Sequence, residues 1–406
     1  MADGFARPHP GLLPRGEGDA SAVVLINLGW SGSDGLAGYM ELHITGSADL
    51  FSWKCVDSPR WANFNERVRA TEYFPTETDL AAEGAAQEIL HGRAAEATRS
   101  RFGREVFVRA VVEVSNFCRE NCAYCGMRRD NRTLHRFRAR WEDLAAMLLR
   151  DCPPSVTDIN IQSGEDPVAV REIVLPLIRA LRQERPFGVS VCLGTLPSDL
   201  YDALQEAGAS IYIMKFECGD VAQYRRFEAP GTLEERLRHL RLLAAGGWNV
   251  SSGFIAGLPG QTLADLVTNF ELARSLPLRG CSVSPFIPGN ETPLAKEQAA
   301  EVRWTLNSMA ALRLMRPDWI IPAVSALNLM EKDGYRHGLR AGANLVTINM
   351  TPDEMREDYV IYKRDRFIMT EERVLNALAA EGLRPSKAGL AEHYRTEVEN
   401  QSAPGR

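Results

Sequence analysis

Three cysteines, Cys118, Cys122 and Cys125, lie in one loop with the spacing C-x3-C-x2-C. Thiolates spaced in this way can bind three irons of a [4Fe–4S] cubane cluster, which leaves the fourth iron without a protein ligand. A zinc site usually needs four protein ligands, often from two paired motifs. No second pair exists, because the other cysteines stand alone at Cys55, Cys152, Cys192, Cys218 and Cys281. The loop therefore predicts an iron–sulfur cluster, with zinc completed by a distant histidine as the alternative.

The cysteine loop follows the first of eight apolar runs that alternate with single amphipathic helices. The predicted strands are 106–114, 156–162, 188–193, 210–216, 250–256, 280–286, 319–323 and 345–348. The predicted helices are 140–150, 169–184, 198–206, 233–245, 263–276, 295–314 and 331–341. Because parallel strands need long crossovers, eight such units indicate an α/β fold, a closed (β/α)8 TIM-type barrel, with an open doubly wound sheet as the alternative. Such barrels place their chemistry at the C-terminal ends of the strands, where this loop begins.

The remaining regions flank the predicted barrel. Residues 1–62 form an N-terminal extension of unknown role, with a strand-like run at 23–28. Residues 63–105 are a helical lead-in, with one helix expected over 79–103. The barrel is expected over 106–370, and 371–406 form a C-terminal helix, 371–380, and a polar tail.

Composition narrows the class of protein. The chain has 406 residues, of which 45% are hydrophobic and 25% charged, and a formal net charge of −6. This is the balance of a soluble globular protein, and it offers no basic surface for a nucleic acid. No apolar run is long enough to cross a bilayer, and no secretory signal precedes the short run at 23–28. We therefore expect a cytoplasmic protein that binds neither nucleic acid nor membrane.

The segments 108–116 and 126–131, on either side of the cysteine loop, resemble the biotin synthase-like group of the radical S-adenosylmethionine (SAM) superfamily. The likeness is greatest to the HydE-type [FeFe]-hydrogenase maturases and the methylornithine synthases, and it extends over residues 85–370. The resemblance implies a [4Fe–4S] cluster whose open iron binds SAM, and reductive cleavage of SAM to a 5′-deoxyadenosyl radical. It also implies a small-molecule substrate and an electron donor such as flavodoxin or ferredoxin.

The same resemblance implies SAM contacts on several strands. They are Tyr124 near the adenine, Ser163, Gly164, Glu165 and Asp166 at the amino group, Glu217 and Arg236 at the ribose or methionine part, and Ile255, Gly257 and Leu258 beside the adenine. A glycine lets the backbone approach a ligand closely, and an arginine fork suits a carboxylate. Without the resemblance, residues 163–166 would be an ordinary β-to-α turn and Arg236 a solvated arginine.

The last third of the chain carries the predicted substrate contacts. Segments 321–327, 338–344 and 351–352 resemble the biotin/thiamin-associated part of the family, which closes the substrate cavity. The resemblance implies that substrate contacts come from Ser325, Asn328, Asn344 and Asn349, together with Lys215. Each asparagine or serine could instead be a satisfied polar group at a strand end.

One departure from the family bears on the substrate. Lys215-Phe216-Glu217 stands where the maturases have Arg-His-Glu, which removes a bidentate fork and a hydrogen-bonding ring. Three hypotheses follow: a mutase or lyase for a small amino-acid-like metabolite, a HydE-like maturase for a metal cofactor, and a non-catalytic Fe–S barrel. Ligands for a second cluster are not apparent, which disfavours biotin synthesis.

Overall fold

The computed structural model describes residues 73–362 and 367–402, together with the backbone of three N-terminal strands. The chain divides into two compact units, Met1–Ala70 and Thr71–Arg406. In the first unit, β1 (Ser21–Ser31), β2 (Ala37–Thr45) and β3 (Phe51–Cys55) form an antiparallel sheet in that order. The strand expected over 23–28 lies within β1.

The second unit is built on a parallel sheet that curves into a barrel. Its strands are β4 (Glu105–Ser115), β5 (Asp158–Ser163), β6 (Gly188–Cys192), β7 (Ile211–Ile213), β8 (Asn249–Ala256), β9 (Gly280–Pro285) and β10 (Leu345–Asn349). Each strand from β4 to β8 pairs with the next one in the chain, and β10 pairs with β4, so that β10 and β9 lie at the two ends of the paired sheet. These pairings confirm the predicted TIM-like fold. The short β11 (Arg384–Pro385) adds to the start of β4.

The eighth strand of the barrel, expected over 319–323, does not form. Single bridges join Gly280 to Ile320 and Pro322 to Leu345, and they link β9 to β10 through this segment. Proline has no backbone N–H to donate to a ladder, so continuous pairing stops at Pro322.

Helices cover the outside of the sheet. They are Glu77–Ala81, Gly84–Phe102, Trp141–Asp151, Pro167–Ala169, Leu175–Glu184, Ser198–Ala207, Val221–Arg226, Leu233–Ala245, Leu263–Ser275, Val302–Met315, Leu327–Met330, Gly334–Arg340, Asp353–Arg356, Glu371–Ala380 and Leu390–Ser402. A π-helical turn, Val170–Val174, joins the fourth helix to the fifth. No helix in the described part of the chain is long and apolar enough to span a membrane.

Several helices differ from the prediction. The helix expected over 79–103 is interrupted before Gly84, which takes a φ of 52°. The helix expected over 295–314 begins only at Val302, since the preceding residues form turns such as Ala295 N–H to Thr292 O. The expected polar tail contains the helix Leu390–Ser402, whose first amides bond to the carboxylate of Asp158.

Alternate side chains along the strands face either the packed core or the interior of the barrel. On β4, Val108, Ala110 and Val112 are buried in the core cluster. The alternate residues Arg109 and Glu113 line the cavity inside the barrel. Because successive side chains of a strand point to opposite faces, β4 packs against helices with one face and supplies polar groups to the cavity with the other.

Candidate active site

A cavity of about 390 Å³ lies inside the barrel and opens toward the loops that follow the strands. This volume lies in the range of small-molecule binding sites, about 300–1,000 Å³. Side chains from every strand β4 to β10, and from the cysteine loop, contribute to its lining.

The three predicted cluster ligands lie at this cavity. Cys118, Cys122 and Cys125 all line it, and all three are free thiols. Burial, together with the neighbouring Cys118, raises the pKa of Cys125 to about 12. Burial likewise raises the pKa of Cys118 and of Cys122. Buried thiols of this kind release their protons only when a metal centre takes their place.

The arrangement of the thiols fits a cluster. Among the described residues, no three His, Cys, Asp or Glu side chains converge tightly enough for a single metal ion. Cys118, Cys122 and Cys125 instead share the lining of one cavity, which suits a multi-iron cluster in which each thiolate binds a different iron. These residues therefore fit the [4Fe–4S] cluster predicted from the sequence.

Several contacts hold the cysteine loop in place. Gly164 packs directly beneath it, where a Cβ atom would collide with the Phe117 carbonyl and lie 2.8 Å from Cys118 Cβ. The Glu165 backbone N–H donates to Cys118 Sγ at 3.4 Å. On the other side, Arg136 donates to the Met127 carbonyl at 2.9 Å. The loop is thus fixed from both the β5 turn and its own C-terminal end.

Two predicted SAM contacts, Glu165 and Arg236, form a buried ion pair at the cavity wall. Arg236 Nη1 lies 2.6 Å from Glu165 Oε1, and Arg236 Nε donates to the Lys215 carbonyl at 2.9 Å. Arg119 and the Thr195 hydroxyl bond to the second oxygen of Glu165. Burial, the largest single effect, would lower the pKa of Arg236, but Glu165, Tyr224 and Glu217 together outweigh it and raise the pKa above the ordinary value.

Asp166 does not line the cavity, and its carboxylate is hydrogen-bonded to neighbouring side chains. Its carboxylate accepts two hydrogen bonds from Arg138, at 2.7 and 2.9 Å, and one from Ser115 Oγ at 2.7 Å. Burial would raise the pKa of Asp166, but the hydrogen bonds from Arg138 and Ser115 outweigh it and lower the pKa. Asp166 therefore ties the end of β4 to the turn after β5, and its side chain does not line the cavity.

Glu217 enters the cavity from a strained backbone. Its φ is 63°, a conformation that is unfavourable for residues other than glycine and is concentrated at functional sites. Its N–H donates to Gly253 O at 3.1 Å and its carbonyl accepts from Ile255 N–H at 2.8 Å, so β8 holds the turn. Lys215 Nζ lies 3.0 Å from Glu217 Oε2 and 3.4 Å from Ser284 Oγ.

The family departure at Phe216 does not reach the cavity. Phe216 is fully buried and stacks on Phe254 with ring centroids 5.8 Å apart. Lys215, one residue earlier, faces the cavity instead. The replacement of histidine by phenylalanine is therefore a packing change, and of the two departures only the lysine is available to a substrate.

The other predicted contacts divide into two groups. Tyr124, Ser163, Ile255 and Ser325 line the cavity, as does Asn349.

Gly257 and Leu258 do not line it. Gly257, at a φ of 81°, forms a tight turn in which its N–H donates to Gln261 Oε1 at 2.6 Å. Leu258 is buried in the core cluster. Their contribution is to the turn after β8 rather than to the cavity wall.

Two predicted substrate contacts, Asn328 and Asn344, also lie away from the cavity. Asn344 is fully buried, and its Oδ1 accepts from Ile321 N–H at 2.8 Å. Asn328 Oδ1 accepts from Tyr335 N–H at 2.9 Å, at the start of the helix Gly334–Arg340. In both residues the side-chain oxygen accepts a backbone N–H, as expected for a structural asparagine, while the buried Nδ2 of Asn344 has no described hydrogen-bond partner.

The structure adds cavity residues that the motif-based prediction missed. They are Arg109, Glu113, Asn160, Gln162, Cys192, Ser284 and Thr347. All lie on strands, and Arg109 and Glu113 fall within the segment 108–116 that carries the resemblance, although no role was assigned to them there. Their signal was a polar residue at alternate positions of an otherwise apolar strand, as in Arg109 and Glu113 of β4.

Comparison with known proteins agrees with this geometry. The model of the Radical SAM superfamily matches residues 112–273. The [FeFe] hydrogenase maturase subunit HydE of Thermotoga maritima is 34% identical over 275 residues, which cover 68% of this chain and 79% of that protein. The 3-methylornithine synthase of Methanosarcina acetivorans is 25% identical and covers 70% and 81% of the two chains.

A solved structure shows the same fold. The crystal structure of methylornithine synthase (PylB) matches with a TM-score of 0.70 at 21% identity, over 83% of this chain and 99% of that chain. Members of the Radical SAM superfamily use a [4Fe–4S] cluster and S-adenosylmethionine, the cofactors that the cysteine loop and cavity fit. On the sequence, the fold and the site together, the chain belongs to the radical SAM superfamily.

Proposed function

We propose that this radical SAM enzyme removes a hydrogen atom from a small amino-acid-like metabolite, and that the resulting substrate radical rearranges or fragments. The observation that carries the proposal is the cavity of about 390 Å³. Its lining includes the three cysteines as well as Lys215 and Ser325. A space of this size suits small-molecule ligands, and its polar groups suit a molecule with charged ends.

The residues of the chain have distinct tasks in this proposal. Cys118, Cys122 and Cys125 would hold the cluster, which together with SAM would supply one-electron cleavage of a sulfur–carbon bond and so a 5′-deoxyadenosyl radical. Tyr124 and Ile255 line the cavity. In this proposal their ring and methyl groups limit the access of water to the radical. A flavodoxin or ferredoxin would supply the electron.

Lys215 and Ser325 are proposed to orient the substrate. Lys215 is held between Glu217 and Ser284, so its ammonium group has a fixed position in the cavity. A fixed donor can select one orientation of the substrate and thereby decide which carbon loses hydrogen. Ser325 lines the same cavity from the segment that precedes the helix Leu327–Met330.

A second candidate is a maturase reaction on a precursor of a metal cofactor. The 34% identity to the HydE of Thermotoga maritima favours it. The position of Phe216 in the core also removes one objection, since that departure does not change the cavity. Lys215 in place of an arginine remains a difference at the substrate.

The test is the rate of 5′-deoxyadenosine formation by the anaerobically reconstituted, reduced enzyme in the presence of candidate substrates. We expect an amino acid or a related metabolite to accelerate it and to transfer deuterium from a labelled carbon into 5′-deoxyadenosine. Lys215→Met should reduce this acceleration, while Lys332→Met, a lysine outside the cavity, should not. Acceleration only by an iron- or sulfur-bearing precursor would favour the maturase reaction, and cluster binding with no SAM cleavage under any condition would contradict both.

A further inference from the structure

Three cationic side chains line the cavity among the residues that the structure describes: Arg109, Lys215 and Arg236. Two of them have carboxylate partners, because Lys215 pairs with Glu217 at 3.0 Å and Arg236 pairs with Glu165 at 2.6 Å. Arg109 has no described carboxylate within the 4.0 Å of an ion pair. Among these three described cations, the Arg109 guanidinium is therefore the one that makes no ion pair with a described carboxylate.

The neighbours of Arg109 explain why it stays unpaired. Asp158 is its partner in register on β5, but both oxygens of Asp158 accept amides of the last helix, from Leu390 at 2.7 Å and Ala391 at 3.1 Å. On the other side, Arg109 Nε donates to Thr347 Oγ1 at 3.1 Å. This bond fixes the guanidinium while it uses one of five N–H donors.

An unbalanced cation at this depth is costly unless an anion reaches it. Burial lowers the pKa of Arg109 from its ordinary value and outweighs the attraction of nearby groups such as Asp158, which makes no ion-pair contact with the guanidinium. Arginine nevertheless stays protonated in proteins. An incoming carboxylate would balance the charge and could accept two parallel N–H bonds from the fork.

The position of Arg109 defines which end of a ligand would bind there. Arg109 lies six residues before Ser115, where β4 ends and the cysteine loop begins. At about 3.3 Å per residue and a strand tilt of about 36°, this places Arg109 roughly 16 Å deeper along the barrel axis than the end of the strand. An anion at Arg109 therefore lies at the end of the cavity away from the cysteines.

We infer that Arg109 binds a carboxylate of the substrate at the deep end of the cavity, and that the substrate is a small carboxylic acid. Thr347 is a positioning residue that orients the guanidinium. The inference rests on the proposed function, because it names a group of the molecule that would be turned over in this cavity. It places the reacting carbon on the part of the substrate that points toward the cysteines.

The test measures binding and needs no turnover. Glutarate and glutaramide have the same carbon chain, but only glutarate carries carboxylates. Their affinities for the reconstituted, SAM-bound protein are measured anaerobically by ligand-observed NMR, for the wild type and for Arg109→Gln, Arg109→Lys and the exposed control Arg171→Gln. Melting temperature and iron content establish that each variant is folded and loaded.

We expect the wild type and Arg171→Gln to bind glutarate more tightly than glutaramide. Arg109→Gln should lose about tenfold to a hundredfold in glutarate affinity, the scale of a charge-assisted hydrogen bond, and little in glutaramide affinity. Arg109→Lys should lie between, since it keeps the charge but not the fork. Equal binding of the two probes by the wild type, or unchanged glutarate binding by folded Arg109→Gln or Arg109→Lys, would overturn the inference. Such a result would not contradict the proposed function, because SAM cleavage is measured separately as 5′-deoxyadenosine formation.

Discussion

Replacing Arg236 with alanine would remove one half of the ion pair at the cavity wall. The two side chains, Arg236 and Glu165, are 6% and 7% exposed, and their closest atoms are 2.6 Å apart. Deletion of one partner of a buried pair typically costs about 3–5 kcal/mol, because the other charge is left without compensation. Glu165 keeps Arg119 and the Thr195 hydroxyl, although Arg119 is 46% exposed and its attraction is screened. We therefore expect Arg236→Ala to lower the free energy of unfolding by about 2–4 kcal/mol.

Urea unfolding of the purified protein under anaerobic conditions measures this loss. Arg119→Ala is the matched control, since it contacts the same carboxylate from an exposed position and should cost about 0–1 kcal/mol. The double variant Arg236→Met/Glu165→Gln should recover part of the stability, because neither charge is then left alone. The reasoning is refuted if Arg236→Ala is as stable as the wild type, or if Arg119→Ala costs as much as Arg236→Ala.

The same variant also tests the predicted contact with SAM. Arg236 lines the cavity as well as pairing with Glu165, so its removal should weaken SAM binding by about 1–3 kcal/mol. Binding is measured well below the unfolding midpoint of the variant, so that the loss of stability does not enter. Unchanged SAM affinity would leave Arg236 with a structural role only.

Two further changes probe the supports of the cysteine loop. Gly164→Ala should lower the iron content after reconstitution, because the new Cβ would lie 2.8 Å from Cys118 Cβ. The control Gly92→Ala would have no atom within 4 Å of its new Cβ and should leave the iron content unchanged. Equal iron content in both variants would contradict the packing argument. Asp166 has a pKa held below its ordinary 3.8, so its bond to Arg138 stabilises the fold above about pH 4 and this contribution is lost as the pH falls further. Asp166→Asn should therefore show less loss of stability than the wild type between pH 5 and pH 3 in urea unfolding, and parallel curves for the two proteins would contradict this assignment.

The elements and the cysteine loop could be predicted from local sequence. Hydrophobic runs and helical periodicity depend on neighbouring residues, and the observed bounds of β4 to β6 and of Leu233–Ala245 lie close to the predicted ones. The eighth strand was overestimated, because the apolar run 319–323 was given more weight than Pro322, which cannot donate to a strand ladder. The helix Leu390–Ser402 was missed, since its anchor Asp158 is far away in sequence.

Side-chain assignments were harder to predict than elements, because they depend on what each polar group meets across the barrel. Asn344 has the residue type of a substrate contact, yet its side-chain oxygen accepts a hydrogen bond from Ile321 N–H. Glu165 and Arg236 were placed separately on SAM, and only the fold shows that they meet each other. Arg109 lies in the segment 108–116 that carries the family resemblance but was assigned no role there, and its importance arises because no described carboxylate lies within ion-pair distance of it.

The most direct test of the account is anaerobic SAM cleavage by the reconstituted protein. After addition of dithionite and SAM, the account predicts 5′-deoxyadenosine by mass spectrometry from the wild type and from Cys152→Ala. It predicts none from Cys118→Ala, Cys122→Ala or Cys125→Ala, which should also lose the cluster. Cleavage that survives the loss of any of these three cysteines, or that disappears in Cys152→Ala instead, would contradict the assignment of the cluster and with it the central claim.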